Sequence, residues 1–134
     1  MTLRELYTFI EECVAQIPDI KTTIENDLLK INEMRDVKYG VFAITQNQHT
    51  STLEFMRFSL NLFYIDRLVN SQDNEVQIQS HAIEILRQLL RKLEDTLSVS
   101  DAQYNVFSQR FQDLCAGAWA VVTISVPVSD CTDF

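Results

Sequence analysis

Glycine and proline each occur only twice in the 134 residues. Phosphate-cradling loops need several glycines where the backbone approaches a ligand, so this scarcity argues against a nucleotide-binding fold. Histidine also occurs twice, as His49 and His81, which leaves few groups for acid–base or metal chemistry. Cysteine occurs three times, as Cys13, Cys115 and Cys131, an odd number with no CxxC or zinc-knuckle spacing. Cys13 falls in a helical pattern and Cys115 beside an apolar run, where a cysteine behaves as a small buried hydrophobe. No apolar run reaches the roughly 18 residues of a membrane span, and no secretory leader is visible. These absences predict a soluble protein made in a reducing cytoplasm.

Positive charge is the other scarcity. Eleven Lys and Arg against nineteen Asp and Glu give a net charge of −8. A nucleic-acid reader needs clustered cations for its phosphate contacts, and an anionic membrane needs them too, so neither partner is expected. A wall of the same sign as DNA would let DNA pass without sticking. The chain is 46% apolar and 22% charged, ordinary for a globular domain. Its length suits one domain, expected over residues 1–128, with residues 129–134 as a short acidic tail. At this size roughly two thirds of the unfolded surface can be buried without staples.

Periodicity predicts the order of elements. Residues 2–17 read as a helix, with Thr2 and Glu5 forming a capping box and Pro18 ending it. Its apolar stripe is Leu3, Leu6, Ile10, Val14 and Ile17, with Glu11 and Glu12 facing water. Residues 20–36 admit two readings. Ile24, Leu28 and Ile31 fit a helical stripe, yet Ile20 to Ile24 is β-prone and residues 25–27 look like a turn, which favours a short strand, a turn and an extended piece. Residues 38–45 read as a strand and residues 46–52 as a polar loop. Residues 74–95 read as the main helix, capped by Asp73 or Asn74, with Ile78, Ala82, Ile85, Leu86, Leu89 and Leu93 buried. Two further strands are expected, over 104–111, with Phe107 and Phe111 on one face, and over 117–126. The fold class is α+β, an antiparallel sheet with helices on one face.

The segment at residues 53–68, LEFMRFSLNLFYIDRL, stands apart. Met56, Phe58, Leu60, Leu62 and Tyr64 share one face, and Arg57, Ser59 and Asn61 the other. Past Asn61 that second face turns apolar, at Phe63 and Ile65, so half of the strand needs cover on both sides. Sixteen extended residues span roughly 54 Å, against a diameter of roughly 36 Å for a compact chain of this length. The strand either bends or projects. Its end offers Phe63, Ile65 and Arg67 as interface candidates. Trp119, the only tryptophan, reads either as a core anchor or as an interface anchor.

Catalytic arrangements are harder to assemble. His49 lies in a polar loop and His81 beside the stripe of the main helix, and neither is near a cysteine in sequence. Glu11–Glu12 and Glu94–Asp95 are adjacent on helices and point apart, so they form no carboxylate pair. Asp130, Cys131 and Asp133 sit in a terminal tail, a poor frame for a metal. No catalytic residue, cofactor or metal ligand is expected. A hydrolase or thiol enzyme built on Cys115 remains a minor reading.

Three segments carry a resemblance: YGVFAITQ at 39–46, FYIDRL at 63–68 with the acidic turn before IQS at 78–80, and RFQDLCAG at 110–117 leading to VPV at 126–128. Together they resemble small virion proteins of crAss-like, Bacteroides-infecting tailed phages. The order of elements is similar to the tail-terminator and tail-completion fold. That resemblance implies a non-catalytic structural protein of the virion, stacked as a ring of six or twelve subunits between portal and tail, with DNA passing through its lumen. Its partners would be further copies of itself and adjacent neck or tail proteins, with no membrane. The projecting end of the 53–68 strand and its partner strand 38–45 are expected to pair with the next subunit by edge augmentation. The alternative is a cytoplasmic adaptor or assembly factor that binds one protein and is absent from the mature particle.

Overall fold

The computed structural model describes residues 1–26, 39–67, 75–100, 102–108 and 115–127. In chain order the elements are α1 (Leu3–Val14), β1 (Thr22–Glu25), β2 (Val41–Gln46), β3 (Thr50–Ser51), β4 (Phe55–Arg67), α2 (Glu75–Glu94), β5 (Ser98–Val99), β6 (Gln103–Ser108) and β7 (Cys115–Pro127). The fold is α+β, as expected. Phe111, the Asp73 and Asn74 caps, the second extended piece after residue 26 and the acidic tail lie outside the described residues.

The sheet is organised by β4 and β7. They pair antiparallel over thirteen residues each without a break, from Phe55 opposite Pro127 to Arg67 opposite Cys115. An uninterrupted register keeps the alternation of side chains strict. The other strands flank this pair. On one side β2 runs antiparallel along Leu60 to Ile65 and β3 along Met56 and Arg57, with β1 outermost and parallel to β2. On the other side β5 and β6 follow β7.

This order corrects the expectation that the 53–68 strand offers a free edge to a neighbouring subunit. The strand is central, and both its edges are occupied along most of its length. Even between β2 and β3 the edge is filled. The Asn47 amide donates to the Ser59 carbonyl at 2.9 Å, and the Ser59 amide donates to His49 Nδ1 at 3.1 Å. The strand is also shorter than sixteen residues. The Thr52 hydroxyl accepts from the amides of Glu54 (3.3 Å) and Phe55 (3.0 Å), a local turn that takes the first two positions. Leu53 is left 98% exposed in that turn.

Both described helices lie on one face. Phe58, Leu60, Leu62 and Tyr64 of β4, Ala118 to Val126 at alternate positions of β7, and Phe42 and Ile44 of β2 form one buried cluster with α1 and α2. Thr2 caps α1 as expected, its hydroxyl accepting from the Glu5 amide while the Glu5 carboxylate accepts from the Thr2 amide, both at 3.1 Å. Helix α1 ends at Val14, and the next residues turn with i→i+3 bonds. Tyr7 and Cys13 join its buried stripe, while Leu3 is only half-buried; in α2, Leu90 joins and Ile78 is half-exposed. Each buried stripe is wider than its spacing suggests because each helix also touches its neighbour.

The chain's two glycines are both used for close approach. A Cβ on Gly117 would fall on the Tyr64 backbone carbonyl, and one on Gly40 would fall on the Asp19 carbonyl and reach the Tyr64 hydroxyl at 2.8 Å. At Gly117 the obstacle is backbone inside the central ladder, so it has nowhere to go. Gly117→Ala is therefore expected to lower unfolding free energy by about 3 kcal/mol or more, measured by urea denaturation. Near-native stability would show that the β4–β7 ladder is looser than drawn.

Candidate functional site

The sheet's second face carries no described helix. Strict alternation assigns it the odd-numbered residues of β2, β4, β6 and β7. At one end Val41, Ala43, Ile65, Phe107 and Cys115 form a second buried cluster with Ile24, and Tyr39, Phe63 and Trp119 pack against it half-buried. Phe63 and Trp119 are direct cross-strand partners. Their rings stack at 5.6 Å with 24° between planes, and Phe107 lies 6.4 Å from Phe63 and 6.0 Å from Trp119. Such aromatic pairs add about 0.5–1.5 kcal/mol beyond area burial.

The four interface candidates thus divide. Phe63 and Trp119 come together and keep exposed surface. Ile65 is completely buried and presents nothing to a partner. Arg67 is exposed at the end of β4. Trp119 is neither purely core nor purely surface: it flanks the second cluster and retains exposure.

Toward the other end this face is polar, as the switch at Asn61 predicted. The Asn61 and Asn47 side-chain amides exchange hydrogen bonds at 2.9 Å, and Asn61 also donates to the Thr45 hydroxyl at 3.0 Å. Ser59 and Thr123 stand opposite each other, as do Arg57 and Ser125. The result is a flat array of amides and hydroxyls beside an aromatic pair.

The groups capable of acid–base chemistry sit elsewhere. His49 Nδ1 accepts from the Ser59 amide, which puts the ring proton on Nε2, 2.9 Å from Gln46 Oε1, and the ring packs edge-on against Phe58. His49 is therefore a structural brace. His81 lies on the helix-bearing side, its Nε2 2.8 Å from Asp19 Oδ2 and its ring edge-on to Tyr64. The pair borders a shallow hollow with Lys21, Gly40 and Asp66. Burial holds the Tyr64 phenol above its usual range, helped by Asp66 and Asp19. Cys115 is fully buried on the opposite face, its thiol 3.7 Å from the Tyr39 hydroxyl. Neither histidine reaches it. Cys13 is buried as well, which pushes its thiol up.

One cluster escaped the sequence reading. Glu11 is not directed to water. It is half-buried against Glu25 of β1, and Arg4 grips Glu25 with two bonds of 2.9 and 3.1 Å. Beside them the Tyr7 hydroxyl donates to Asn26 Oδ1 at 2.7 Å, and Asn26 adopts a positive φ of 65°. No spacing in the chain signals this cluster, because it depends on α1 lying over a parallel edge strand.

Compared with known proteins, the sequence matches no family model and no curated protein.

The Glu11–Glu25 contact generates a pH dependence. The hydrogen bond to Glu25, burial and the Glu25 charge together raise the Glu11 carboxyl from 4.5 to about 7. The folded chain therefore holds a proton that the unfolded chain releases near 4.5. That contribution to stability is full below the unfolded value and is lost as pH rises toward about 7. Glu11→Gln keeps the shared hydrogen bond at any pH. Its melting temperature should match wild type near pH 4 and exceed it increasingly by pH 8, roughly one unit past the transition. A constant difference across that range would show that the two carboxyls are independent.

Proposed function

We propose that the chain is a non-catalytic structural protein of a tailed-phage virion, a neck or tail ring subunit that associates with further copies of itself. One observation carries the reading. A broad sheet bears both described helices on one face, and on its other face Phe63 and Trp119 stack and stay partly exposed beside the buried cluster of Val41, Ile65 and Cys115. Aromatic residues with retained exposure at the centre of a flat surface are typical anchors of protein interfaces. The resemblance of residues 39–46, 63–68 and 110–117 to crAss-like phage virion proteins supports the same reading. So does the net charge of −8, which suits a channel wall past which DNA slides.

Both edges of β4 are occupied, so contact between subunits is made by the face of the sheet and not by adding a strand to β4. Phe63, Trp119 and Arg67 remain the contact residues, and Ile65 supports them from within. Subunits joined head to tail close into a ring when the rotation between neighbours permits.

Trp119 is the only tryptophan, so its fluorescence reports this face alone. On raising the concentration from nanomolar to high micromolar, its emission should move to shorter wavelength as native mass spectrometry shows discrete rings of about six or twelve copies. Trp119→Ala should weaken assembly by roughly thirtyfold, the scale of an interface hot spot. A wild-type monomer at high micromolar concentration, alone and with neighbouring tail proteins, would falsify the proposal, as would absence of the chain from purified particles.

A further inference from the structure

The hollow beside His81 and Asp19 contains a polar group that the fold leaves unused. It has a volume of about 330 Å³ and lies where the turn after α1, the end of β4 and the first half of α2 meet. Its lining includes Asp19, Lys21, Gly40, Tyr64, Asp66 and His81. Tyr64 is only 2% exposed, yet its hydroxyl makes no hydrogen bond with a described residue. The hydroxyls of Tyr7 and Tyr39, by contrast, are engaged with Asn26 and Cys115. No fully buried side-chain nitrogen or oxygen among the described residues lacks a partner. The Tyr64 oxygen is therefore not sealed in the core but opens into the hollow. Gly40 forms the wall at that point, and a Cβ there would stand 2.8 Å from the oxygen. The missing side chain keeps the oxygen within reach.

The neighbouring groups set the sign of the site. His81 Nε2 engages Asp19 Oδ2 at 2.8 Å, and the Arg67 amide donates to Asp66 Oδ1 at 2.8 Å. The second oxygen of each carboxylate has no hydrogen bond with a described residue. Lys21 does not take them: its ammonium lies 3.4 Å from the Pro18 carbonyl oxygen and forms no ion pair with a described residue. After burial, the charges that hold the proton on the Tyr64 phenol are Asp66 and Asp19. The hydroxyl thus sits in the field of two carboxylates, where a cation is favoured. Three acceptors with free capacity line one hollow, the Tyr64 oxygen and one oxygen from each carboxylate. An ammonium group has three N–H donors and no acceptor. A guanidinium fits less well, since its planar fork takes both oxygens of one carboxylate, and here one oxygen of each is already engaged.

We propose that this hollow binds a primary alkylammonium group, that of a free small amine or of a lysine side chain on another protein, through Tyr64, Asp66 and Asp19. The proposal is independent of the ring reading, because it uses no contact of Phe63 or Trp119. The volume lies at the small end of ligand sites, about 300–1,000 Å³, and suits one chain of lysine length. It also accounts for the hydroxyl. A buried hydroxyl without a partner costs stability, and phenylalanine would fill the same place in the core. An ammonium in the hollow gives that oxygen its missing bond.

Titration with n-butylamine at about pH 7, where the amine is protonated, tests this, with the amide NMR shifts of Gly40 and Arg67 as the readout. Saturable shifts with a Kd on the order of 1 mM are expected. Tetramethylammonium, which has no N–H, should bind at least about tenfold more weakly at equal ionic strength. Tyr64→Phe should melt at the wild-type temperature, since the hydroxyl it removes is unpaired, and should lose about tenfold in affinity for n-butylamine. Asp66→Asn keeps an oxygen for the Arg67 amide and should lose at least as much. Nα-acetyl-lysine N-methylamide identifies the source. Affinity at least equal to that of n-butylamine marks a presented lysine side chain, and its exclusion marks a free amine. Equal responses to n-butylamine and tetramethylammonium would overturn the inference, as would unchanged binding by both variants. So would a Tyr64→Phe protein that melts well below wild type, because the hydroxyl would then serve the fold. None of these outcomes bears on the ring reading, which the state of assembly decides.

Discussion

The unbroken ladder between β4 and β7 is the constraint on which the other features depend. Thirteen residues on each strand pair without a bulge, over about 43 Å of extended chain. A single inserted residue would transfer every side chain beyond it to the wrong face. Because none is inserted, two strands far apart in sequence present one continuous apolar surface to the helices. Their odd positions form a second continuous surface on the other side. Gly117 is the local condition for this closeness: its missing Cβ lets the β7 backbone pass the Tyr64 carbonyl. Buried Ala118 and Ala120 on the neighbouring positions then leave room for the helices.

The two faces solve different problems. The helix-bearing face is closed by Leu6, Ile10 and Val14 of α1 and by the Ala82-to-Leu93 stripe of α2, in one buried cluster. Polar groups are kept to its rim, where Arg4–Glu25 and His81–Asp19 fasten α1 and the turn after it to β1 and α2. The other face is graded along the strand. Its apolar end packs Ile65, Val41 and Phe107 together, and its polar end satisfies its amides and hydroxyls by cross-strand bonds such as Asn61–Thr45. The Phe63–Trp119 pair sits where the two regimes meet.

What was legible in the sequence follows the range of the interaction responsible. The capping box at Thr2 and Glu5 involves residues three apart, and it is present as read. The alternation Phe58, Leu60, Leu62, Tyr64 and the change of character at Phe63 belong to a single strand, and both hold. The central place of β4 does not show in its own residues, since alternation states which face is apolar but not which strands lie alongside. The parallel pairing of β1 with β2 brings Glu25 beneath Glu11, a contact between residues that no helical or strand period connects. The overestimate of the 53–68 strand has a local cause. Leu53 fits the alternating pattern, but the Thr52 hydroxyl captures the amides of Glu54 and Phe55 and ends the strand at Phe55.

The corrected place of β4 changes what kind of contact the protein can make. An edge strand recruits a neighbour through backbone hydrogen bonds, which are nearly blind to side chains. A strand enclosed on both sides offers only its side chains, so recognition through it depends on their chemistry. Among the described residues that chemistry is aromatic at Phe63 and Trp119 and polar toward Asn61 and Ser59. Specificity then follows from which surfaces can be brought together without opposing like charges. A sheet that is enclosed at its centre keeps two unlike sets of side chains apart, and it does so because the ladder holds each side chain on its own side.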